Sequence, residues 1–325
     1  MKPENNVTHV IDPDGNVTII LQNANKRFVR FIEGSSLKRK RKTPLVTQEF
    51  RILVSASHLT SVSPVFKSAL EGTWKEGLTL RSAGSVNITV DGWDLEALLI
   101  LLRICHCKHH QVLRTLGLEL LAKITLLVDY YQCFDVLRFF ADTWISCLAQ
   151  SFPTQYSRDV LLWVWISWAW KMPALFKKAT GLIISQATGS ITSLGLPIPQ
   201  RIIDDINVKR LEAIRHTFSS LDSLQTSLIE GKRGCSLGCR SIMLGTLILQ
   251  RHSKGLLTPI GTAPRLVGLK AGDLVTKVCN FSLPEWHSGG DRNGRAFNCH
   301  RGIMTCLNSE LELSLRGLDL QRQTA

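Results

Sequence analysis

The feature that most constrains this chain is a change of hydrophobic period near Asp94. Before it, apolar residues come in short β-rich runs: Val17-Thr18-Ile19-Ile20-Leu21, Phe50 to Val54, and Val86 to Val90, where Thr89 separates Ile88 from Val90. Asp14-Gly15 is a turn signal ahead of the first run, and Lys26 to Ile32 reads as a further strand. Ser63-Pro64 reads as a helix start, a Ser cap followed by Pro at the first helical position. Val65, Phe66, Ala69 and Leu70 give that helix its apolar side. After Asp94 the spacing becomes helical. Leu95, Leu98, Leu99 and Leu102 form one stripe behind Asp94, which can cap it. Leu116, Leu120, Leu121, Ile124 and Leu127 form a second, and Phe134, Leu137, Ala141, Trp144, Ile145 and Leu148 a third. The breaks are short, so consecutive helices are expected to pack as antiparallel neighbours. The fold class is α+β: short strands and helices, then a helical cluster.

Beyond Phe152-Pro153 the pattern stays helical. Val160 to Trp170 carries Trp163, Trp165, Trp168 and Trp170 pointing in several directions, which predicts a helix buried on most sides. Lys171-Met172-Pro173 breaks it, and Ala174 to Gln186 restarts. Gly195-Leu196-Pro197-Ile198-Pro199 reads as a rigid connector. Leu211, Ile214, Phe218, Leu221, Leu224 and Leu228 then mark a long helix ending at Gly231. Past Gly231 the pattern degrades into short apolar pieces among glycines, prolines and basic residues, and Ser288 to Phe297 reads as an exposed loop. At roughly 100–200 residues per domain, 325 residues give two domains. The division predicted is 1–150, and 151–325 as an all-α extension with an irregular basic tail.

The net charge is +13. It is uneven: residues 51–150 hold as many acids as bases, and the excess lies toward both ends. A nucleic-acid reader concentrates charge on its folded face, so nucleic acid is not the expected partner. The nine cysteines, an odd number in a long chain, fit a reducing compartment. Met1–Asn6 is polar with no apolar stretch after it, so no leader is expected. The most apolar run, Val160 to Trp170, is far short of the roughly 20 residues that span a bilayer. An intracellular location, cytoplasmic or nuclear, and no membrane are expected.

From Phe50 to Leu70 the residues FRILVSASHLTSVSPVFKSAL resemble the signature of a BTB/POZ domain: a strand, a short helix ending in Leu, then Ser-Pro-x-Phe opening the next helix, with Ser63, Pro64 and Phe66 in those places. Trp74-Lys75-Glu76, Asn87-Ile88-Thr89-Val90-Asp91, Ile104-Cys105-His106, Leu120-Leu121-Ala122 and Val128-Asp129-Tyr130-Tyr131-x-Cys133 continue the likeness, which covers roughly Val17 to Gln150. The chain looks most like the filamentous-fungal branch, whose helical extensions carry phrases similar to LLWVWISW, LGLPIP and GCSLGCRSIMLG. Asn16 stands where many members have an Asp that helps organise the dimer interface, and Ser55 where many have His. The segment from about 22 to 48 is a longer, basic insertion. The resemblance implies a protein–protein interaction module without an active site. It implies a partner protein or a second copy of the chain, with a homodimer favoured. The shared interface would include Val17, Ile19, Leu53 and Leu59. Some members bring substrates to a cullin-type ubiquitin ligase, so an adaptor role is also implied. The alternative function is a nuclear, transcription-associated factor touching DNA through the basic C-terminal region.

The residues themselves offer little chemistry. Cys105, His106, Cys107, His109 and His110 are metal-ligand types, but one crowded segment cannot easily wrap a tetrahedral ion. Cys235 and Cys239, with Cys299, His300 and Cys306, form two separated pairs whose spacing matches no standard ribbon or finger. Cysteines in such places more often pack. Lys38 to Lys42 fits either a nuclear-import tag or a solvated loop. Phosphate-cradling loops, a G-x-S-x-G elbow and H-E-x-x-H are missing. Asp204 and Asp205 are adjacent on a helix and point about 100° apart, so they do not pair for acid–base work. The tryptophans at 163–170 lack interleaved basic residues, which makes them core. The expectation is no enzyme, no catalytic or cofactor-binding residue, no metal, and partner-binding residues that the sequence does not assign.

Overall fold

The computed structural model describes residues 7–26, 28, 49–257, 266, 268–282 and 299–323. The basic run Lys38–Lys42 and the loop expected over Ser288–Phe297 lie outside the described residues. So does most of the strand expected over Lys26–Ile32, of which Lys26 and Phe28 are described and belong to no strand. The architecture is mixed, with a small four-stranded sheet and twelve α-helices among the described residues. None of these helices is long and apolar enough to cross a membrane.

The strands are β1 (His9–Val10), β2 (Val17–Gln22), β3 (Phe50–Val54) and β4 (Val86–Asp91). They lie in the order β1-β3-β2-β4. β2 runs antiparallel to β3 and parallel to β4, with Ile19 opposite both Ile52 and Ile88. β1 adds to β3 in parallel. Five of the six β2 residues are buried, Thr18 among them. A run such as Val17–Leu21, apolar but for Thr18, is what a strand covered on both faces requires.

A parallel neighbour needs a crossover, and three helices supply it: α1 (Ala56–Val62), α2 (Pro64–Glu71) and α3 (Lys75–Ala83). Ser63 caps α2, its hydroxyl accepting from Phe66 N–H at 3.2 Å and donating to the Tyr131 carbonyl at 2.6 Å. Phe66 then stacks on Tyr131, ring centroids 4.4 Å apart. The three predicted stripes are α4 (Leu95–Cys105), α5 (Leu118–Tyr131) and α6 (Phe134–Ala149). Asp94 caps α4 through Ala97 N–H at 3.1 Å and pairs with Lys123 of α5 at 2.9 Å.

The remaining helices are α7 (Arg158–Ala169), α8 (Pro173–Gln186), α9 (Gln200–Ile229), α10 (Leu237–Ser253), α11 (Ala271–Cys279) and α12 (Cys299–Ser314). Contacts divide the chain into two units. The first is Met1–Pro153 with Trp165–Lys171 and Leu194–Pro197, and the second is Thr154–Val164, Met172–Ser193 and Ile198–Ala325. A division at 150/151 therefore assigns to the extension two segments that group with the first unit. Trp165 and Trp170 show why: their indole N–H groups donate to the Ala122 carbonyl at 3.4 Å and to Thr125 Oγ1 at 2.9 Å, both on α5. As predicted, α7 is buried on most sides.

The second unit departs from expectation in two places. The long helix begins at Gln200, eleven residues ahead of the first marker, because Ile202, Ile203 and Ile206 carry its buried face back to the connector. Asp204 is exposed there and accepts from Gln200 at 2.9 Å. Past Gly231, where the pattern degrades, α10, α11 and α12 form. Each offers only a narrow buried stripe, such as Cys239, Met243 and Leu247 on α10. Together with Ile214, Phe218, Leu221 and Leu224 of α9, these stripes make one core. At Gly181 and Gly317 α8 meets the chain beyond α12 backbone to backbone. A Cβ on Gly317 would collide with the Lys177 carbonyl, so only glycine fits.

Candidate interaction surface

The residues that the family resemblance placed at a shared interface must be corrected. Val17, Ile19 and Leu59 are fully buried within the chain, and of the four only Leu53 is partly exposed. The cause is the double cover of β2, which commits both of its faces to the core. Asn16 is likewise turned inward on its own chain: its Oδ1 accepts from Ala56 N–H at 2.9 Å, holding the first residue of α1.

Among its described residues, the first unit leaves three large aromatic side chains outside. Trp74, Tyr130 and Phe139 are 66%, 58% and 77% exposed, joined by Val10, Leu78 and Leu113. Trp74 sits at the N-cap of α3 and Leu78 one turn later, so both side chains lie along one side of the helix. Tyr130 meets Trp93 edge-on at 5.3 Å, and Phe139 meets Phe140 edge-on at 5.8 Å. Among the described residues of the second unit, the large exposed apolar side chains are Val208, Ile229, Leu237, Ile248, Leu249, Leu257 and Leu313, all aliphatic. Large rings with few rotatable bonds give contact area at low entropic cost, which is why aromatic residues dominate binding hot spots.

The cluster at Cys105 to His110 is dispersed. Cys105 and His106 are buried, while Cys107, His109 and His110 are exposed. Burial pushes the Cys105 thiol well above its ordinary range and that of Cys133 up to about 12, so neither is a ready thiolate. In the second unit Cys239 is buried and Cys235 exposed. Cys306 is exposed and donates to Glu310 at 3.7 Å. The side chains of Cys299 and His300 lie outside the described residues.

Among the described residues, one group combines three potential metal ligands that sequence spacing did not reveal: Asp12, His58 and His106, their ligand atoms within 4.8 Å of one another. Its geometry does not present three lone pairs to one point. The two imidazoles stack, centroids 4.8 Å apart and planes 24° from parallel. Rings lying face to face aim their in-plane lone pairs alongside each other, whereas a tetrahedral ion needs them to converge. Both His106 nitrogens are also engaged. Nδ1 lies 2.8 Å from the Leu102 carbonyl, and Nε2 accepts from Ser55 N–H at 2.9 Å. This histidine ties the start of α1 to the end of α4 across 51 residues of sequence, a link without a local signal.

No family model matches this chain, and no curated protein matches it either.

Proposed function

We propose that this chain is a protein–protein interaction module and not an enzyme, with a first unit of BTB/POZ type. The likeness of Phe50–Leu70 to that family supports the reading. So does the order in which the elements follow: β3, a capped α2 beginning at Ser63-Pro64, β4, and then the helices behind Asp94. The observation that carries the functional part is the exposure of Trp74, Tyr130 and Phe139 on the first unit, against an all-aliphatic exposed set among the described residues of the second. Three buried polar side chains of the first unit make structural bonds. Ser63 caps α2, His106 links two elements, and Thr125 receives the Trp170 indole. Their engagement in holding the fold fits surface recognition as the unit's work.

The resemblance makes a second copy of the chain the first partner to test, since a self-complementary patch closes with one copy of itself. An adaptor role toward a cullin-type scaffold rests on the resemblance alone. Sedimentation of the full chain at micromolar concentration is the test of self-association. A dimer that dissociates on dilution is expected. A single species at the mass of one chain would remove the second copy as partner and leave a different protein as the occupant.

A further inference from the structure

The start of α1 is held from a distance rather than by its own cap. Ser55 occupies the N-cap position, yet its side chain makes no capping bond and instead lies 2.8 Å from the Ser57 hydroxyl. Its N–H goes to His106 Nε2 at 2.9 Å. The other ring nitrogen of His106, Nδ1, faces the Leu102 carbonyl at 2.8 Å. A carbonyl can only accept, so Nδ1 carries the proton. An amide N–H can only donate, so Nε2 is bare. These two bonds together specify one tautomer of a neutral ring, and the residue is only 4% exposed.

We propose that His106 is a proton-operated latch: neutral, it holds the Ser55 N–H and so joins the start of α1 to the end of α4, and a proton on Nε2 releases that joint. Protonation turns the acceptor into a donor and sets N–H against N–H. The group is faced from each side by identified partners. From α1 comes the stacked His58 ring, and from the turn between β1 and β2 comes Asp12, whose Oδ2 lies 3.9 Å from His58 Nδ1. From α4 comes the Leu102 carbonyl, and from the link between β3 and α1 the Ser55 N–H.

Burial above all holds the His106 imidazole below its ordinary value, and His58 adds to the effect. The Leu102 carbonyl and Asp12 pull the other way without overcoming it. A histidine whose folded value is depressed contributes stability that is fully present above its unfolded value, about 6.5, and lost as pH falls below it. The latch is therefore closed at neutral pH and opens on the acid side. This inference does not depend on the interaction reading.

The test is hydrogen exchange of the full chain from pH 7.5 to 5.0, corrected for the intrinsic pH dependence, with ring nitrogen shifts of His106 followed alongside. The expected result is an Nδ1-protonated ring at neutral pH with a midpoint below 6.5. Ser55 protection should then fall by up to tenfold per pH unit between about 6.5 and that midpoint, and level off below it. Leu98, whose N–H bonds the Asp94 carbonyl within the α4 cap region, is expected to stay protected. In His106→Gln the side-chain oxygen can accept from Ser55 at every pH, so protection there is expected not to vary. A ring proton on Nε2 at neutral pH would overturn the latch. So would a midpoint at or above 6.5, Ser55 protection that persists when the ring is charged or throughout the range, or loss of Ser55 and Leu98 protection together. The wild-type ring titration decides the matter even where His106→Gln does not fold.

Discussion

The two units solve the same problem, buried polar groups, in different ways. In the first, the buried polar side chains among the described residues are neutral: Thr18, Ser63, His106, Thr125 and Ser167. In the second, two arginines are buried beside Thr180 and Thr217. Arg210 donates to the carbonyls of Ala187 at 2.6 Å, Leu269 at 2.9 Å and Leu266 at 3.4 Å. Arg251 reaches Asp222 at 2.6 Å, Gln225 at 2.8 Å and the Leu256 carbonyl at 3.4 Å. The difference follows from chain path. The carbonyls that Arg210 collects lie past the end of α8 and before α11, where no helix or strand satisfies them. A fork with five donors ties several such segments at once, which a hydroxyl cannot do. The second unit is thus pinned by charge at its irregular joints, and the first by shape within regular elements.

The largest effect should come from breaking a pin. Arg210→Ala strands up to three buried carbonyls, each costing about 1–3 kcal/mol, and about 4 kcal/mol of stability should be lost from the second unit. Arg210→Lys keeps the charge but not the fork and should recover only part of the loss. Exchange rates read unit by unit in the full chain check this. Equal loss of protection in both units would mean that the pin is not local to the second.

In the first unit the matching experiment removes shape. Phe66 is 4% exposed and stacked on Tyr131. Phe66→Ala should cost about 3 kcal/mol through lost transfer energy and a cavity, seen as a lower melting temperature. An unchanged melting temperature would show that Phe66 is not an anchor of that core. Ser63→Ala is the smaller version. It deletes the α2 cap and the bond to the Tyr131 carbonyl, and caps are worth about 0.5–2 kcal/mol. A loss near the upper end is expected in denaturant unfolding, because two bonds go with one hydroxyl.

The same contrast decides what could be read from residues alone. Ser63-Pro64, and Asp94 ahead of Leu98, Leu99 and Leu102, announce their helices because cap and stripe are local in sequence. The helices after Gly231 were not legible. Their buried stripes are narrow, and exposed Leu237, Ile248 and Leu249 blur the period on α10. The burial of Val17 and Ile19 did have a signal, a run apolar but for Thr18, but the family likeness pointed them outward and chain burial decided otherwise. Asp12, His58 and His106 meet only because the turn after β1, α1 and the end of α4 come together. No spacing rule joins residues separated by 46 and 48 positions.

The smallest effect on stability should come from the surface that matters most to the proposed function. Trp74 and Leu78 are 66% and 54% exposed, so the folded chain gains little from them. Substitutions at such sites usually stay within about 0.5 kcal/mol each. Trp74→Ala with Leu78→Ala should leave the melting temperature almost where it was. If these side chains form part of the interface, the same pair of changes weakens association strongly, since truncating a central aromatic anchor typically costs about 2 kcal/mol or more of binding. A matched pair on the second unit, Leu237→Ala with Leu249→Ala, is the control, being equally exposed but aliphatic. Sedimentation of both variants beside the parent chain separates the cases. Loss of the dimer in the first variant alone puts recognition in the aromatic unit. Equal loss in both would abolish the distinction between the two surfaces, and loss only in the second would move the interface to α10.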